Sequence, residues 1–216
     1  MAIAKKYEFT DETVTINNKI LHRIKALINF DRFGVKAGDL GGFIEVEVNL
    51  SHDGDAWVYG NALVSGNARV SGNAWVYGDA WVYGNAWVYG NARVSGNALV
   101  SGDAWISGNA KVSGDAWISG NAKVSGDAWI SGNAKVSGDA KIKRSNDYAC
   151  VNGFGSVYKN TTFFRCEDDL IRAQCGRFYG TIDEFRAKVK EAHRDSKYAK
   201  EYLMIADLME YHFAED

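Results

Sequence analysis

The side chains that ordinarily do chemistry are few in this sequence and stand far apart. Three cysteines (Cys150, Cys166, Cys175) and four histidines (His22, His52, His193, His212) are its soft ligands and near-neutral titrating groups. Cys150, Cys166, Cys175 and His193 have the composition of a Cys3His zinc site, but no C-x2-C pair supplies the usual spacing. Reduced core cysteines are therefore the expected reading. A long series of Asn and Asp offers oxygen ligands, yet it differs from the calcium-binding nonapeptide repeat, and corner formation accounts for it. Residues 153–158, GFGSVY, make a loose glycine turn, and neither a phosphate loop nor a nucleophile elbow is present. His52 is expected on a rim rather than as a general base. No catalytic residue, metal site or cofactor is expected.

What positions these residues is a repeat. From Gly54 to Ile142 the chain reads G-[ND]-A-x-[VI]-x without a gap, fifteen hexads with Ala at 56, 62, 68 and every sixth position to 140. Ile44 and Leu50 extend the register backward in degenerate form. Ala-x-Val is a short strand whose Ala and Val share one face while x takes the other. Gly followed by Asn or Asp turns a corner, because both tolerate the left-handed backbone region. One such strand buries nothing, so copies must stack to form a core of Ala and Val. Three hexads per triangular coil give five coils, about 24 Å tall at the interstrand spacing. The complete absence of proline agrees with a chain made mostly of laddered strands.

The motif V-[SY]-G-[ND]-A-x resembles the hexapeptide repeat of left-handed parallel β-helix proteins, which implies a mainly β fold of that hand. The flanking stretches GDLGGFIEVEVNLSHDGDAWVYGNA and TTFFRCEDDLIRAQCGRFYGTIDEFRAKVK are similar to phage- and prophage-encoded hexapeptide-repeat proteins. That resemblance implies a viral origin and the cytoplasm of an infected or lysogenic bacterium, with association to the virion left open. It brings no activity with it. Many hexapeptide-repeat proteins are acyltransferases with a histidine base at a trimer interface. These hexads contain neither a histidine nor a loop insertion, so an enzyme is not expected.

A solenoid needs its ends covered, since open strand edges pair with other chains. All ten Phe lie outside the hexads and all seven Trp inside them, which places an N-terminal β cap at 1–53, the β-helix at 54–142 and a C-terminal α+β region at 143–216. In the first segment YEFT and TVTI read as strands before a turn at Asn17-Asn18. In the last, TTFFRC and LIRAQC read as a hairpin around residues 167–169. Thr181-Ile182-Asp183-Glu184 is a capping box opening a helix to about His193, and a second helix covers about 196–213.

Binding is then expected from the outward residues of the strands. At eighteen residues per coil these sort into three faces carrying Trp57, Trp75 and Trp129; Trp81 and Trp117; and Trp87 and Trp105, with Tyr59, Tyr77, Tyr83 and Tyr89 near the corners. Three copies of GDAWISGNAKVS from residue 102 place Trp105 against Lys123, Lys111 against Trp129 and Trp117 against Lys135. Three roles for this aromatic area stay open: cross-strand stabilisation, a homo-oligomer interface (trimer or dimer), and recognition of a host protein or glycan. The tyrosine-rich half, residues 57–89, reads as the better interface. A net charge of −2, with six basic and six acidic residues in the hexads, makes nucleic acid an unexpected partner. No stretch is long and apolar enough to span a membrane, no signal peptide is read at the N-terminus, and three cysteines fit a reducing compartment. A structural or protein-interaction module is the first expectation. An anti-defence inhibitor of a bacterial immune protein or its signal is the second.

Overall fold

The computed structural model describes residues 5–214. The hexads form fifteen two-residue strands, β4 (Trp57–Val58) through β18 (Lys141–Ile142), stacked into three parallel walls of a β-solenoid of about six turns. Register is eighteen residues throughout: Trp57 pairs with Trp75, Leu63 with Trp81, and Arg69 with Trp87. The inward Ala and Val or Ile of every hexad are completely buried. An earlier, degenerate turn precedes them. Phe43-Ile44 of β3 (Leu40–Ile44) pairs in parallel with Leu63-Val64, and Leu50 bridges Val70.

The stack is polar along its length. The N–H groups that link coils all donate to a carbonyl of the following coil, as in Trp57 N to Ala74 O at 3.0 Å and Tyr59 N to Val76 O at 2.9 Å. The N-terminal end therefore presents carbonyls without donors and the C-terminal end N–H groups without acceptors, each costly if buried unpaired. The two caps answer with opposite chemistry. At the N-terminal end the buried Lys6 ammonium donates to Gly54 O and Ala56 O at 3.2 and 2.7 Å. On a second wall the Asn49 amide donates to Gly66 O and Ala68 O at 3.0 and 2.8 Å, and on the third the Arg23 guanidinium reaches Gly60 O at 3.3 Å. At the other end hydroxyls accept. Trp129 N donates to Ser145 Oγ (3.1 Å), Ser131 N to the Tyr148 hydroxyl (3.2 Å) and Lys135 N to Thr162 Oγ1 (2.9 Å).

The N-terminal cap is a hairpin of β1 (Tyr7–Ile16) and β2 (Lys19–Ala26) turning at Asn17-Asn18, both at positive φ. YEFT and TVTI, expected as separate strands, belong to the single strand β1, with an irregularity between Phe9 and Thr13. β2 pairs antiparallel with β3, so the hairpin extends one wall into an eight-stranded sheet.

The C-terminal region is a four-stranded antiparallel sheet, β19 (Tyr148–Val151), β20 (Thr161–Arg165), β21 (Ile171–Cys175) and β22 (Phe178–Thr181), followed by α1 (Ile182–His193) and α2 (Lys197–Phe213). The alternation of β20 splits its two phenylalanines. Phe164 joins the solenoid core with Cys166, while Phe163 joins a second core with Phe185, Tyr202 and Met209. The Thr181 hydroxyl accepts from Glu184 N, and the Glu184 carboxylate accepts from Thr181 N at 2.8 Å, which starts α1.

Burial holds the Lys6 amine down at about 8. The native state then loses this proton before the unfolded chain does, so stability rises from about pH 8 towards pH 10, by on the order of 2 kcal/mol. Above about pH 10 the trend reverses. Burial pushes the Tyr7 phenol up and that of Tyr202 up to about 12, so the unfolded chain ionises first. Melting temperatures across this range are expected to show a maximum near pH 10, and a Lys6→Met variant is expected to lack the rise.

Candidate binding surfaces

The outward aromatic residues do not form one open surface. Trp57, expected on an outward face, is completely buried, with Phe30 at 5.1 Å and Tyr7 at 6.4 Å between ring centroids. It is core and cannot bind a partner. An indole on the first coil has no neighbour below it, and the segment after β2 folds back to cover it. Phe33 covers Trp75 in the same way at 4.5 Å, leaving it half-buried. The indole N–H groups of Trp57 and Trp75 are buried without an acceptor. Thus the early half of the repeat is partly consumed by the N-terminal cap. Tyr59 remains exposed there, and Tyr77, Tyr83 and Tyr89 lie against Trp75, Trp81 and Trp87 at 4.7, 4.5 and 5.0 Å.

The exposed indoles are Trp87, Trp105, Trp117 and Trp129. Most Trp side chains lean along the wall towards the preceding coil. Trp81, Trp87, Trp117 and Trp129 donate from Nε1 to Ser65, Ser71, Ser101 and Ser113 at 3.1, 3.2, 3.5 and 3.1 Å. The signal was present as a Ser sixteen residues before each of these Trp, although sequence reasoning did not single it out. Such an indole offers a partner its ring surface, its donor being engaged. Trp105 differs because Tyr89 occupies the serine position. Its ring stands nearly perpendicular to Trp87 at 5.8 Å and to Tyr89 at 6.4 Å. These three residues form one aromatic patch, with Trp87 37% and Trp105 41% exposed. Arg69 pairs with Trp87 on one side of it, and Lys123 with Trp105 on the other.

Lysine ammonium groups cover the neighbouring rings: Lys123 over Trp105 at 5.7 Å, Lys111 over Trp129 at 5.5 Å and Lys135 over Trp117 at 5.5 Å. Each exposed contact of this kind is worth about 0.5–1 kcal/mol. The corners are laddered too. Asn73 donates to Asn91, Asn91 to Asn109 and Asn109 to Asp127, at 3.3, 3.1 and 2.9 Å. Asp79, Asp103, Asp115, Asp127 and Asp139 each accept from an Asn eighteen residues earlier. The carboxylates terminate amide chains, which explains the Asn and Asp series without a cation.

His52 belongs to the N-terminal latch. Its ring stacks on Tyr7 at 4.4 Å, Nδ1 accepts from Lys6 N at 3.2 Å and Nε2 faces the Glu47 carboxylate at 3.0 Å. The cysteines have separate surroundings: Cys166 in the solenoid core, Cys175 beside the Thr161 hydroxyl and Cys150 beside the Asn160 amide. Among the described residues no group of three or more His, Cys, Asp or Glu comes together to hold a metal ion. No helix among them is long and apolar enough to cross a membrane.

Five stretches of the solenoid, residues 56–72, 64–78, 68–84, 86–102 and 92–108, match the family described as YdcK Beta solenoid repeat. The matches fall within the walls and leave the C-terminal region untouched. No curated protein matches the chain. Strand pairing and repeat matches agree that this is a parallel β-solenoid protein.

Proposed function

We propose that the chain is a phage- or prophage-encoded left-handed β-helix of the hexapeptide kind. It acts in the bacterial cytoplasm by binding rather than by catalysis. Its docking face is the patch of Trp87, Tyr89 and Trp105, and the occupant is first a second copy of the chain. The observation that carries this reading is that patch: two neighbouring indoles, each more than a third exposed, bounded by cations. Aromatic residues with apolar rings are the usual anchors of protein interfaces. The engagement of Trp87 Nε1 by Ser71 favours a protein surface over a glycan, which relies on hydrogen bonds at its ring edges. The hexad spacing supports the hand, the flanking sequences support the origin, and three free thiols support a reducing compartment.

Solution mass by size-exclusion chromatography with light scattering tests it. The wild type runs as a dimer or trimer, and Trp87→Ser with Trp105→Ser weakens association at least tenfold while circular dichroism stays unchanged. A monomeric wild type overturns self-association, and an assembled double variant removes the patch from the interface.

A further inference from the structure

The C-terminal region holds a second candidate site that is independent of the solenoid walls. An open groove of about 490 Å³ lies between α1, the turn joining β21 to β22 and the loop of residues 152–160. Its volume falls in the range of small-molecule sites. The floor is aromatic and aliphatic, built from Phe178, Phe185, Val189 and Tyr202. Phe185 packs against Phe178 and Tyr202, each at 5.6 Å, so the floor is a face of the second core and is held rigid by it.

The rim has one sign of charge. Lys159, Arg177, Lys188 and His193 line it, and among the described residues no Asp or Glu does. In a chain with 27 acidic and 25 basic side chains, a lining of that kind is a departure from the average surface. Lys188 pairs with Glu191 outside the groove at 2.8 Å. Lys159 and Arg177 have no ion-pair partner among the described residues. Both are exposed, and nothing in the fold requires them there. The His193 ring leans on Tyr202 at 5.8 Å, which joins the basic rim to the aromatic floor.

We propose that this groove binds a small organic anion with an aromatic body. The ring system lies on Phe178, Phe185 and Tyr202, and the anionic group meets Lys159 and Arg177. Charge complementarity selects the anion, and enclosure on three sides selects a small molecule over a polymer. The basic groups surround one concavity and do not continue as a track along the solenoid, where no wall stacks more than two basic residues in succession, Arg93 on Lys111 and Lys123 on Lys141.

Fluorescence titration of the full chain with 8-anilinonaphthalene-1-sulfonate, an aromatic sulfonate, tests the proposal. One saturable site per chain is expected. The Lys159→Gln, Arg177→Gln double variant binds at least tenfold more weakly. An Ala192→Trp variant, which fills the groove from the exposed side of α1, abolishes binding. Uncharged N-phenyl-1-naphthylamine binds the wild type at least tenfold more weakly than the sulfonate. Absence of a saturable site, or equal binding by wild type and both variants, overturns the proposal. Equal binding of the two dyes overturns its anionic part. Solution mass of the same variants stays at the wild-type value, which separates this site from the aromatic patch.

Discussion

Replacing Asn49 with leucine is expected to cost about 3–5 kcal/mol of stability, although the residue is polar and the replacement apolar. Asn49 is completely buried. Its amide donates to Gly66 O and Ala68 O, and its Oδ1 accepts from Val46 N at 2.9 Å. Leucine is close in size and fits the same space, but it leaves three backbone groups unpaired, each costing about 1–3 kcal/mol when buried. Urea unfolding followed by circular dichroism reads the loss as a lower midpoint at unchanged slope. A loss below about 1 kcal/mol would mean that water reaches these carbonyls and that the side chain is not what closes this wall.

The Val100→Asp variant is expected to yield no folded solenoid. Val100 is completely buried and sits between Val82 and Ile118 on its wall, so a carboxylate there meets only aliphatic neighbours. An isolated charge in such surroundings costs more than the 5–15 kcal/mol by which a domain of this size is stable. The adjacent Leu99 points outward, and Leu99→Asp stays within about 1 kcal/mol of wild type. Soluble yield and far-ultraviolet circular dichroism of the pair make the comparison. A folded Val100→Asp protein would contradict the inward assignment of the Val slot.

Much of the solenoid was legible because its physics is local and periodic. Two inward residues per hexad and a corner at Gly-Asn or Gly-Asp fix the strand, and the eighteen-residue register follows from three such strands per coil. The Lys–Trp stacks follow from that register and the 12-residue copies. Thr181 and Glu184 announced α1 by spacing alone. What remained hidden depends on parts of the chain meeting across long separations. Nothing near Trp57 in sequence says that Phe30 will cover it, and nothing near Lys6 says that its amine will end a ladder at Ala56. The groove is of the same kind. Lys159, Arg177 and His193 come from a loop, a hairpin turn and a helix terminus, and only the packing of α1 on the sheet brings them to one rim.

The register also has an angular meaning. Each hexad advances the chain by one wall, a third of a turn, so an insertion or deletion of six residues would swing the C-terminal region round to a different side of the N-terminal hairpin. A 12-residue copy alone would do the same in the opposite sense. The three copies of GDAWISGNAKVS together make two whole turns. They lengthen the rod while returning the C-terminal region to its original bearing. The aromatic patch and the basic groove can thus be moved apart along the axis without being turned away from each other, and whole turns are the increments in which this protein can change length without changing its facing.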